Sequence, residues 1–157
     1  MMTKSPATVI ALCLSAGLLA GTAVAQNAQS RADQLVRYRQ SMYNVLGANF
    51  GPMANVVQGK APYDAREFAM RAERVAFIAA MLPEGFVAGS ESGKPTAARP
   101  EIWRDRAEFD RLLKDMQSKV GALSDTAQGA KSVADVKTAF VAAGQACKNC
   151  HDKFKRD

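Results

Sequence analysis

From Ser30 to the C-terminus, apolar positions recur every three or four residues, in four separate stretches. That spacing puts one face of a helix into a core, and no stretch shows the alternation of a half-buried strand. The first stretch opens at Ser30-Arg31-Ala32-Asp33, a capping-box pattern, and runs through Leu35, Tyr38, Met42, Val45/Leu46, Phe50, Met53 and Val56/Val57. Gly51 and Pro52 predict a kink or break within it. The second starts at Asp64-Ala65-Arg66-Glu67, carries Phe68, Ala72, Val75, Ile78/Ala79 and Leu82, and stops at Pro83. The third begins near Pro100 and carries Ile102, Trp103, Phe109, Leu112/Leu113, Met116, Val120 and Leu123. The fourth starts at Ser132-Val133-Ala134-Asp135 and carries Val133, Val136, Phe140, Ala143, Cys147, Cys150 and Phe154. Between the second and third lies Pro83 to Arg99, where three glycines and two prolines predict an irregular loop. Loops of that length in a small domain tend to be functional. Four amphipathic helices with mostly short links predict an all-α, antiparallel up-down-up-down four-helix bundle.

The last stretch contains Cys147-Lys148-Asn149-Cys150-His151. C-x-x-C-H is the attachment pattern of a c-type haem. On a helix, residues three and four apart share a face, so Cys147 and Cys150 can hold the porphyrin by two thioethers while His151 reaches the iron. Zinc would need a fourth ligand, but His151 is the only histidine and the third cysteine, Cys13, lies far upstream. A redox C-x-x-C pair normally follows a strand in a βαβ unit, a pattern absent here. The expected cofactor is one haem c, covalently attached through Cys147 and Cys150, with His151 as metal ligand. Both cysteines fall on the core stripe, so the haem is expected inside the bundle with one edge exposed.

Residues 1–25 read as a cleavable signal peptide, with Lys4, an uncharged run from Ala7 to Ala20 and the small-x-small site Ala23-Val24-Ala25. The run is short for a membrane span, and Leu12 before Cys13 does not fit a lipoprotein site, so no membrane anchor is expected. The mature domain is then 26–157, and the expected location is the periplasm. Lys4 is the only charge in the leader, so 21 basic against 15 acidic residues becomes 20 against 15, and the net charge falls from +6 to +5. No aromatic-interleaved basic strip points to nucleic acid.

With C-x-x-C-H on the last of four helices, the mature chain resembles the class II c-type cytochromes, the cytochrome c′ family. Class I cytochromes carry the motif near the N-terminus. The resemblance extends to Tyr38-Arg39-Gln40, Pro62-Tyr63-Asp64 and Ala98-Arg99-Pro100-Glu101-Ile102-Trp103. It implies that Arg39 and Gln40 lie at the haem edge, with Arg39 meeting a propionate, and that Ser90 and Glu91 approach the haem from the long loop. Lys155, four residues past His151, matches a basic position near the proximal histidine.

The resemblance also implies what stands over the iron. The family's distal face is capped by an apolar or aromatic residue four positions after the arginine, which here is Tyr43. Low-spin relatives place a methionine ligand at that position, whereas Met42 is one residue earlier. One helical step turns a side chain by about 100°, so Tyr43 and Met42 cannot both face the iron. With Tyr43 distal, the iron is five-coordinate and high spin, binding nitric oxide and carbon monoxide and transferring single electrons as a further role with periplasmic redox partners. The alternative is a low-spin electron-transfer cytochrome with Met42 and His151 as axial ligands. Enzymatic turnover ranks below both, because distal acid–base residues are missing. A homodimer through the first two helices is expected, with Phe77 contributing.

Overall fold

The computed structural model describes residues 7–156, with side chains from Gln26 onward. The signal peptide assigned to 1–25 therefore lies outside the residues whose side chains are described. Four long helices, α1 (Ala7–Val57), α2 (Ala65–Met81), α4 (Arg106–Gly129) and α5 (Val133–Phe154), form the bundle, with a short α3 (Glu101–Arg104) before α4. Each long helix packs against the next, and α5 returns to α1, which closes the antiparallel four-helix arrangement. Among the described residues no helix is long and apolar enough to cross a membrane.

The core follows the predicted stripes. Phe68, Ala72, Val75 and Ala79 of α2 are buried, as are Phe109, Leu113, Met116, Val120 and Leu123 of α4 and Val136, Phe140, Ala143 and Phe154 of α5. Phe50 of α1 stacks on Phe140 with ring centroids 4.5 Å apart, and Phe109 meets Phe86 and Phe154 at 4.9 and 5.4 Å. Two predicted caps form. Asp64 accepts a hydrogen bond from the Glu67 backbone N–H (2.8 Å), and Ser132 with Asp135 makes a reciprocal capping box.

Three local expectations are corrected, and the kink or break expected at Pro52 is narrowed. Helix α1 does not begin at Ser30 but runs through it. No glycine or proline lies between Thr22 and Leu46 to stop it, and Asp33 accepts instead from Gln29 Nε2 (2.9 Å) and the Lys94 backbone N–H (3.0 Å). The helix also continues past Pro52 to Val57. Proline has no N–H for the carbonyl four residues back, that of Ala48. Arg71 of α2 fills the gap, donating from Nη1 to Ala48 O at 3.2 Å while Glu67 steadies its other nitrogens. The connection after α2 is not wholly irregular, because Leu82–Phe86 forms a 3₁₀ turn with Pro83 in its first turn. The third helix is interrupted at Asp105, whose non-helical φ/ψ (−114°, 56°) separates α3 from α4. Lys153 of α5 donates to Asp105 Oδ2 at 2.9 Å, a tertiary tie that no local sequence pattern announces.

Candidate haem-binding site

Between α1, the 82–100 connection and the C-terminal half of α5 lies a cavity of about 370 Å³. Its walls are largely apolar, from Leu46, Phe86, Ile102, Phe109 and Phe154, with Cys150 and His151 on the α5 side. That size and lining suit a cofactor site. Cys147 and Cys150 are free thiols, half-buried. Burial pushes both above the usual thiol range, Cys150 to about 11, so neither is an activated nucleophile at neutral pH. Burial, with the Lys155 ammonium nearby, holds the His151 imidazole below its ordinary value, leaving a neutral ring nitrogen with a free lone pair.

Arg39 forms much of the opposite edge. It is 3% exposed, yet among the described residues no carboxylate lies within ion-pair distance of it. Its Nη1 donates to Gly85 O (2.9 Å), both terminal nitrogens reach Ser90 O (3.3 and 3.4 Å), and Nη2 donates to Thr96 Oγ1 (3.2 Å). The guanidinium sits 5.1 and 5.5 Å from the ring centres of Phe86 and Trp103. This close seat requires Gly85, where a Cβ would come within 2.6 Å of Arg39 Cβ. Trp103 Nε1, part of the same cluster, is buried without a partner among the described residues. A buried cation without a counter-charge, beside an unpartnered indole N–H, fits a site completed by an anionic group such as a haem propionate. The cavity, the thiols and this cationic edge together fit haem.

Gln40 lines the cavity, and its Nε2 donates to Pro95 O at 2.9 Å. Tyr43 lines it one turn further along α1. Its 37% exposure opens onto the cavity, and burial raises its phenol well above the ordinary range. Its ring meets Phe86 edge-on at 6.5 Å. Met42 faces a different side of α1, 6% exposed within the hydrophobic core and close against Gly85. Lys155 also lines the cavity.

Ser90 and Glu91 are placed differently from expectation, since neither lines the cavity. Ser90 is fully buried, its hydroxyl donating to Val87 O (2.7 Å) and its carbonyl supporting Arg39, while Glu91 is exposed. The loop reaches the cavity instead through Thr96, Ala97 and Ala98. The proline–threonine–alanine run before Arg99 carries no chemical signal that would have singled Thr96 out.

Comparison with known proteins gives the same direction. Residues 34–155 match the family model described as cytochrome C′. Cytochrome c′ of Rubrivivax gelatinosus is 37% identical over 123 residues, covering 76% of this chain and 92% of the relative. Its crystal structure superposes with a TM-score of 0.76 at 33% identity, covering 80% of this chain and 97% of that one. A nitric oxide complex of a single-site variant of cytochrome c′ from Alcaligenes xylosoxidans gives a TM-score of 0.73 at 32% identity, with 80% and 97% coverage. The chain belongs to the cytochrome c′ family, whose members carry covalently attached haem c.

Proposed function

We propose that this chain is a periplasmic, five-coordinate, high-spin haem c protein that binds nitric oxide and carbon monoxide. The observation that carries the reading is the different placement of Tyr43 and Met42: the phenol lines the cavity and the thioether is buried in the core. Haem, when bound, supplies an iron that takes up a small diatomic and exchanges one electron. Cys147 and Cys150 are the thioether residues and His151 the iron ligand, by the C-x-x-C-H spacing on α5. Arg39, with Gln40 beside it, faces the propionate edge. Tyr43 closes the distal side by the bulk of its ring, which lines the cavity edge-on to Phe86.

No aspartate or glutamate is among the described residues lining the cavity, which favours a binder and one-electron carrier over a catalyst. The leader at 1–25 supports export to the periplasm. On the first two helices Phe77 is 70% exposed and Val45 52%, apolar side chains that a homodimer through these helices would cover. Titration of the exported holoprotein with nitric oxide tests the reading. Saturable binding of one molecule per haem supports it, and no spectral response contradicts it.

A further inference from the structure

Thr96 joins two walls of the cavity. Its Oγ1 accepts from Arg39 Nη2 at 3.2 Å and from the Ala98 backbone N–H at 3.0 Å, which occupies both lone pairs of the hydroxyl. Ala98 stands opposite Lys155 in an isolated antiparallel bridge. The bridge is closed by Arg156 N–H to Ala97 O (2.8 Å) and Arg99 N–H to Phe154 O (2.9 Å). In such a pair the facing residues do not bond each other, so the Ala98 N–H points away from α5 and is free to reach Thr96. Lys155 in turn donates its backbone N–H to His151 O at 3.0 Å. Hydrogen bonds and the short backbone segments between them therefore link Arg39 on α1, through one hydroxyl and the Ala98–Lys155 bridge, to Lys155, whose N–H meets His151 O.

We propose that Thr96 is a positioning residue for the His151 side of the cavity, fixing the Ala98–Lys155 bridge relative to Arg39 and so setting where Lys155 stands beside the imidazole. The proposal rests on the haem reading above. An ammonium near the imidazole opposes positive charge on it and weakens it as an electron donor, so a displaced Lys155 registers in the His151–iron bond. The loop segment from Lys94 to Ala98, a strap beside the cavity, does not depend on Thr96 alone for its attachment to α1. Gln40 holds Pro95 O at 2.9 Å and Asp33 holds the Lys94 N–H at 3.0 Å. Thr96→Val thus removes the acceptor, keeps the shape and leaves the strap on α1.

Resonance Raman spectra of the ferrous holoprotein read the iron–His151 stretching band directly. Thr96→Val is expected to shift or broaden the band, Thr96→Ser to restore it, and Thr96→Val to add nothing in a Lys155→Ala background. Thr96→Ala provides the same comparison if the valine variant fails to accumulate with haem. A band unchanged by either substitution overturns the proposal, as does a shift that persists in full without Lys155. In both cases the wild-type band still stands, so the haem reading survives. A wild-type protein lacking any iron–histidine band would overturn that reading and this proposal together.

Discussion

Tyr43 and Met42 are neighbours in sequence and face different sides of α1: the phenol lines the haem cavity, and the thioether lies in the core against Gly85. The rotation of one helical residue decides which of them the iron meets. The core side of α1 is fixed by Met42 and Met53, both buried in the hydrophobic core, so turning Met42 toward the cavity would pull Met53 out of it.

If Tyr43 limits access by bulk, Tyr43→Ala should speed carbon monoxide association with the ferrous protein by roughly tenfold, equivalent to about 1.4 kcal/mol of barrier. Tyr43→Phe keeps the ring and should leave the rate close to wild type. Stopped-flow mixing measures both, and a large change in the phenylalanine variant would assign the control to the hydroxyl instead.

Met42→Leu should leave the ferric and ferrous spectra unchanged and alter stability by less than about 1.5 kcal/mol, as volume-conserving core exchanges do. Absorption spectra and thermal melting of the holoprotein check it. Collapse of a low-spin spectrum in this variant would identify Met42 as a ligand.

The Arg71 guanidinium bonded to Ala48 O takes the place of the N–H that Pro52 lacks. Arg71→Met should cost about 1 kcal/mol, the worth of one ordinary hydrogen bond. The same substitution in a Pro52→Ala background should cost less, because the helix then supplies the donor itself. Denaturant melts of the four proteins test the coupling.

The four periodic stretches, the Asp64 and Ser132 caps and the C-x-x-C-H spacing were legible because each is a local pattern of a few residues. Ser90 and Thr96 were not. Arg39 reaches carbonyls and a hydroxyl 46 to 57 residues away, and the Ala98–Lys155 bridge joins two segments with no shared periodicity. The start of α1, the choice between kink and break at Pro52, and the break at Asp105 were not legible for a related reason. Local signals at Ser30 and Pro52 are overridden by partners on other elements, Lys94 and Arg71, and Asp105 is tied to Lys153.

Acid should weaken the fold through Asp135 and Glu108. Hydrogen bonds from the Lys131 N–H and from Ser132 hold the Asp135 carboxyl below its usual range, and Arg111 does the same for Glu108. A carboxylate depressed in the folded state contributes stability above its unfolded value, near 3.8 for Asp135, and loses it as pH falls through the folded one. Melting temperature should therefore fall below about pH 4, and Asp135→Asn should flatten that part of the profile.

The most direct test of the account is the absorption spectrum of the purified holoprotein, ferric and ferrous, before and after nitric oxide. A broad high-spin ferrous Soret band that changes on adding the gas is the predicted result, with Tyr43 over an open coordination position. Sharp, split α and β bands that ignore the gas would contradict it and place a protein ligand on the sixth position.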